Sequence, residues 1–468
     1  MRSLPGLLAT TAAALVLAAQ PAVAQGQPSQ AQIDALNRQI QALQSQLETL
    51  RESVEKQIQA VDKRTADMPT VTVNAGRPRI VSADKAFDVA LRTRFHIDYG
   101  NWFPDSGIAT DLPDGFNVRR AFLGVAGTVY RDWAFEFTLD ASGSRGSSTR
   151  LQAANIAYTG IPGWRFEIGL MQPPFTLDDA TGSNDIPFIE RSAITNTITN
   201  IVASESRAAV GVRKTGSNYM VAAYLTGDQA AISPVGGDDQ LAAIGRGAFL
   251  VHSAQNQEVA IGASAGTVIT PRQGTGPGAA RPYLFADRPE NRIGGGTLLV
   301  SGGTLDLEDY TVWGGDIGAS FNNFWAAAEY YAQDVETRDS PATVADEGAD
   351  LSFEGYYVSL GYILTGEHRK YNIGTGGWSG VVPSAPFNSQ GGIGAWELGV
   401  RYSVNDLQDP DYVTPLEGKQ TVWTFGVNWY VNAAIRFMLN YQMIDIERPA
   451  PLVDADADAI IGRLQFQF

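Results

Sequence analysis

The sequence predicts an all-β fold: a transmembrane antiparallel β-barrel of about sixteen strands, preceded by an N-terminal α-helical coiled coil. Three observations carry that expectation. In the last ten residues Ile460, Leu464, Phe466 and Phe468 share one parity, while Arg463, Gln465 and Gln467 share the other. A strand in an outer-membrane barrel sets the first face in lipid and the second in a watery lumen. Residues 1–24 join an early Arg2 to an apolar core (Ala12 to Ala19) and small residues at Ala22 and Ala24, the pattern of a secretory signal peptide cleaved after Ala24. No later run reaches ~18 apolar residues, so no spanning helix is expected after it.

Composition fits an exported barrel. The chain has no cysteine, which excludes disulfides and Cys-metal chemistry. Its formal charge is −16, or −17 once the leader's only charge, Arg2, is removed. Much of the acid lies in turn-like segments such as Asp178-Asp179, Asp238-Asp239 and Asp454 to Asp458, read as solvated loops. An acidic chain of this kind is a poor partner for nucleic acid.

Residues 25–68 are expected to form the coiled coil. Ile33, Leu36, Ile40, Leu43, Leu47, Leu50, Val54 and Val61 follow alternating steps of three and four, with Gln57 in the one vacant core slot. A helix this polar gains little alone, so the pattern implies self-association. Ile at a with Leu at d in the early heptads favours two strands. Met68-Pro69 ends the helix, and residues 69–84 read as a linker with a short strand near Val71 to Asn74.

Residues 85–468 form the predicted barrel, where the apolar period changes from 3.5 to 2. Strands are centred near 93, 123, 137, 155, 167, 210, 222, 246, 262, 314, 328, 358, 398, 426, 440 and 464. An even number suits a closed barrel with both termini in the periplasm. In the first strand Val89, Leu91, Phe95, Ile97 and Tyr99 oppose Arg92, Arg94, His96 and Asp98. The same parity turns Arg120, Arg165, Arg207, Arg213, Arg246, Arg401, Arg436 and Arg463 towards the lumen. Guanidinium groups are permanently charged and match anion oxygens, so this set is the candidate pore-lining, anion-binding set. Asp98, Glu136, Asp140, Glu167, Glu329 and Glu397 share the face and would brace some of them.

The segment Pro173 to Ser206 is too long for a hairpin turn and is the expected constriction. Pro174 and Phe175 would fix its departure from the wall, and Glu190 and Arg191 its return. A second insert, Thr270 to Glu308, is rich in Gly and Pro and reads as extracellular loop. His96, His252 and His368 are scattered, and no nucleophile elbow, metal cluster or phosphate loop is present in the sequence. An enzyme is therefore not expected, nor is a cofactor.

Asn74 to Pro78, Arg119-Arg120, Gly169 to Leu177 with Phe188 to Ser192, Leu364 to Tyr371, and Gly426 to Asn432 stand in a definite order and spacing. Together these five segments resemble the phosphate-selective porin O and P family. The resemblance implies a trimeric outer-membrane porin whose inward loops narrow each pore, passing small inorganic anions, phosphate or pyrophosphate, past arginines to a lysine. Separately, a terminal Phe on such a strand resembles the signal read by the outer-membrane assembly machinery, which assigns Phe466 and Phe468 to it, and the apolar strand faces imply outer-membrane lipid around the wall. The six lysines (Lys56, Lys63, Lys85, Lys214, Lys370 and Lys419) offer no evident mid-pore site. A general or cation-preferring porin is the alternative expectation.

Overall fold

The computed structural model describes residues 29–468, apart from 67, 75–76, 109–110, 144–148, 230–236, 277, 295–296, 302–303, 339–347 and 410–417. The expected leader lies outside the described residues. The chain divides into two compact units, one up to Met68 and one from Pro69 to Phe468. In the first, α1 (Gln30–Ala66) is a single helix. Within its own unit nothing covers the heptad side chains: Leu36, Leu43, Leu47 and Leu50 are all exposed.

The second unit opens with a hairpin, Thr70–Asn74 paired with Arg77–Val81. The expected linker is thus folded onto the sheet, because Arg79 to Val81 pairs with the first barrel strand while Thr70 to Asn74 pairs back on Arg77 to Val81.

Sixteen antiparallel strands follow. They are β1 (Asp88–Ser106), β2 (Gly115–Val129), β3 (Trp133–Asp140), β4 (Arg150–Tyr158), β5 (Trp164–Met171) and β6 (Arg207–Thr215). Next come β7 (Tyr219–Gln229), β8 (Leu241–Ala254), β9 (Gln257–Thr270), β10 (Leu305–Phe321) and β11 (Phe324–Thr337). The last are β12 (Asp350–Ile363), β13 (Ala395–Asp406), β14 (Lys419–Tyr430), β15 (Ile435–Glu447) and β16 (Ala455–Gln467). Each pairs with its sequence neighbours, and β16 pairs with β1 from Asp456↔Ser106 to Gln467↔Arg94, which closes the barrel. Every predicted strand centre falls inside one of these strands. Closure leaves no unpaired edge, the condition for a sheet surrounded by lipid.

Alternation sorts the side chains. Along β15, Phe437, Leu439, Tyr441 and Met443 are exposed while Arg436, Asn440 and Gln442 are buried. The outward face bears an aromatic set that includes Trp423, stacked on Phe425 at 6.4 Å, and Trp396, stacked on Trp429 at 5.4 Å. No helix among the described residues is long and apolar enough to cross a membrane.

The lumen is not uniformly watery, which corrects the sequence expectation. Against β7 to β12 it is packed by an apolar core of Phe175, Ile194, Ile198, Ile201, Phe285, Tyr310, Val312, Tyr331 and Phe353. These residues come from the inward-facing wall and from two long connections that fold inside. Open space is left on the other side, along β1 to β6.

Candidate functional site

The connection after β5 crosses the lumen, and its residues 173–206 are almost entirely buried. Its departure is fixed at Phe175, which is fully buried against Tyr331 and whose carbonyl accepts from Arg246 Nη1 at 3.0 Å and from Ser264. A short turn, α2 (Leu177–Ala180), follows, capped by Thr176 Oγ1 accepting from the Asp179 N–H at 2.9 Å. Glu329 of β11 accepts from the N–H groups of Leu177 and Asp178 at 2.9 and 2.6 Å, placing a carboxylate at the free donors of that turn.

The loop then forms α3 (Ala193–Val202), whose sequence is rich in β-branched Ile and Thr. Such residues are weak helix formers, so packing holds this helix. Ile194, Ile198, Ile201 and Val202 are fully buried on one stripe. Two carboxylates meet its first turn: Asp178 accepts from Ser192 N and Glu290 from Ala193 N, at 2.9 and 3.0 Å.

Between α2 and α3, Glu190 is the centre of an ionic clamp. Arg119 donates to both its oxygens at 2.7 and 3.0 Å, and Arg463 Nη2 donates at 2.8 Å. Burial alone would raise the Glu190 pKa, but Arg119, Arg463 and Arg120 hold it well below the usual carboxylate range. Arg463 also makes two bonds to Asp98 at 2.6 and 2.7 Å. Arg191 donates to the carbonyls of Asp178 and Thr181 at 3.0 and 2.9 Å, folding the loop on itself. Arg119 reaches inward because β2 carries a bulge. His96 pairs with Arg120 and Ile97 with Val118, so Arg119 is the extra residue and both arginines face the lumen.

Two further connections enter the lumen. The insert after β9, expected as extracellular loop, brings Phe285 and Leu299 into the apolar core and Glu290 onto Arg401 at 2.5 Å. The connection after β12 enters from the opposite end, where the other turns are short. Its Arg369 binds Glu397 at 3.0 Å and the Asp185 carbonyl at 2.7 Å, with its guanidinium 5.1 Å from the Trp325 ring centre. Burial disfavours this charge, and Glu397 more than offsets that, so the Arg369 pKa is raised.

Most of the arginines assigned to the lumen therefore meet loop backbone or carboxylates. Arg207 donates to the carbonyl of Asn200 at 2.7 Å. Arg246 binds Asp316 at 2.7 Å and the Gly376 carbonyl at 3.0 Å. Arg401 reaches the Glu190 carbonyl at 3.1 Å, and Arg436 the Ile186 carbonyl at 2.8 Å. Arg120 is buried beside Glu205 at 3.4 Å. These side chains point inward as parity requires, but what they face there is protein.

The remaining four, Arg92, Arg94, Arg165 and Arg213, line one cavity of about 390 Å³ between β1–β6 and loop residues Gly182 to Asp185. Arg77 from the N-terminal hairpin lines it too. Four side-chain carboxylates, Glu136, Glu167, Asp185 and Glu205, face these five arginines. Arg92 pairs with Glu136 at 2.6 Å, and one carboxylate, Glu167, serves both Arg165 and Arg213 at 2.5 and 2.9 Å. Arg94 donates to Ser183 Oγ at 2.6 Å and stacks 5.3 Å from the Phe122 ring centre, with no carboxylate partner among the described residues. Glu205 is drawn instead to Arg120 and Arg191. A permanent cation with unused donors in a partly enclosed, water-accessible space is suited to a passing anion. A wider chamber of about 670 Å³ adjoins the cavity at Arg77, Arg92 and Asp185. Phe468 borders both, its terminal main-chain oxygen accepting from Thr93 N at 2.8 Å, while Phe466 stays on the outward face. No lysine lines the cavity, and no metal-binding cluster occurs among the described residues.

Comparison with known proteins places the chain in a family. The family model described as "Phosphate-selective porin O and P" matches residues 89–468. Porin O of Pseudomonas aeruginosa is 28% identical over 419 residues, covering 84% of this chain and 91% of that protein. An uncharacterized protein of Caulobacter vibrioides is 28% identical over 407 residues, covering 84% and 76%. Among solved structures, OmpT of Vibrio cholerae superposes with a TM-score of 0.49 at 12% identity, over 82% of this chain and 98% of that one. The outer membrane channel DcaP of Acinetobacter baumannii gives 0.47 at 14%, over 82% and 98%.

Proposed function

This chain belongs to the phosphate-selective porin O and P family and is an outer-membrane porin, and from that premise we propose that it passes small oxyanions, phosphate or pyrophosphate, by diffusion through the arginine cavity. The observation that carries the reading is Arg94, which keeps no carboxylate partner among the described residues in a cavity where five arginines face four side-chain carboxylates. Arg92, Arg94, Arg165 and Arg213 are the pore-lining set; the other inward arginines anchor loops. A cation of this kind lowers the cost of an anion leaving water. The nearby carboxylates keep binding weak enough for release.

The end of the barrel where β1 starts and β16 finishes is assigned to the periplasm, and so is α1, read as a coiled coil. Its exposed heptad stripe supports self-association, and the family supports a trimer. Phe466 and Phe468 are assigned to recognition by the assembly machinery.

One observation favours a second reading, a channel without anion preference: Asp185 sits at the junction of the two chambers and places a carboxylate in the path. Titrating phosphate into a bilayer carrying chloride current separates the two. Block by low phosphate supports the oxyanion porin. Undiminished current at high phosphate rejects a binding site in the pore.

A further inference from the structure

The N-terminal hairpin is part of the channel wall. β16 pairs with β1 only as far as Arg94, and the strand Arg77–Val81 takes over the same edge of β1 below that point. Its register sets Arg79 opposite Ala90 and Val81 opposite Asp88. Continued by two residues, that register sets Arg77 opposite Arg92. Directly opposed residues of an antiparallel pair share a face, so Arg77 faces inward with Arg92.

The cavities agree with that register. Arg77, Arg92, Asp185, Gln467 and Phe468 line both the inner cavity and the outer chamber, so they ring the throat between them. Arg92 is compensated there by Glu136 at 2.6 Å, and Arg79 farther out by Asp88 at 2.7 Å. Arg77 has no carboxylate partner among the described residues. Burial and the Arg92 charge both depress its pKa, as expected for a cation set beside another cation. A solute moving between the chambers passes this uncompensated charge.

We infer that Arg77, a residue outside the barrel proper, sets the anion preference of the throat for small oxyanions. The inference rests on the reading of the barrel as an ion-conducting pore, but not on the sign of its overall selectivity. A cation on one wall of an aqueous throat raises the local anion concentration and repels cations, an effect that salt screens.

The test uses the full-length protein in planar bilayers, with reversal potentials in a potassium chloride gradient. Arg77→Gln is expected to lower the anion/cation permeability ratio about two- to threefold, with Arg77→Lys staying near the wild type. The chain has no cysteine, so Arg77→Cys provides a unique thiol in an already folded, conducting channel. A cationic methanethiosulfonate reagent should then restore the ratio, and an anionic one should lower it further. A ratio that responds to neither the Gln variant nor either reagent overturns the assignment of Arg77. A wild-type ratio below one overturns the anion-porin reading instead, because the role of Arg77 is read from the change and not from the starting value.

Discussion

Arg119 and Glu190 form a two-pronged ion pair, at 2.7 and 3.0 Å, between a bulge in the barrel wall and the loop that crosses the lumen. Both side chains are about 4% exposed, so neither charge has water as an alternative partner. Glu190 also holds Arg463, so its loss disturbs more contacts than the loss of Arg119.

Loop anchoring is therefore expected to respond asymmetrically. Glu190→Gln weakens contacts to two arginines, Arg119 and Arg463, whereas Arg119→Met leaves Glu190 its bond to Arg463. Breaking a buried pair costs about 3–5 kcal/mol. Glu190→Gln should lie at or above the upper end and Arg119→Met at or below the lower end. Denaturant midpoints of the refolded barrel check the order, and equal midpoints would refute it.

Arg94 and Arg120 stand on neighbouring strands but should behave differently. Arg94→Gln removes the cavity cation that lacks a carboxylate partner, and phosphate block should weaken about threefold to tenfold. Arg120→Gln alters a buried contact with Glu205 and should change stability while leaving phosphate block within twofold, roughly the scatter expected without a direct contact. Phosphate titration of the chloride current separates them.

Asp185 predicts a pH dependence. Burial pushes its carboxyl above the ordinary value, with Arg94, Arg369 and Arg436 opposing the shift. On acidification it takes up its proton before ordinary surface carboxylates do, removing a negative charge from the throat. The anion/cation ratio should rise as pH falls from neutral, and Asp185→Asn should raise the ratio at neutral pH while flattening that rise. Reversal potentials measured across pH give the answer.

The connection after β12 enters the lumen from the short-turn end. Its Gly374 carbonyl holds Arg213 at 3.0 Å, and Arg369 holds the loop after β5 at Asp185. Replacing residues 370–392 with a short turn should raise single-channel conductance. An unchanged conductance would place the resistance elsewhere.

The fold was legible because lipid enforces a strict period of two. Outward positions of β15 from Phe437 to Met443 are all apolar, and polar residues return on that face only at Asp445. What parity could not reveal was what an inward side chain meets. Arg246 and Arg436 point inward as read, yet a loop arrives there from far away in sequence. Arg119 was hidden because a bulge breaks the alternation. The α3 helix was hidden because Ile and Thr make poor helices until buried. Glu290 sits in a Gly/Pro-rich insert with a left-handed backbone (φ 54°), where no periodic signal exists. Arg77 precedes the barrel and was visible only as part of a family segment.

The most direct test of the account is the reversal potential of the reconstituted wild-type channel in a salt gradient, repeated with phosphate as the only anion. The arginine cavity predicts an anion-selective channel whose chloride current is blocked by low phosphate. Cation selectivity with no phosphate block would contradict it and leave the arginines as braces alone.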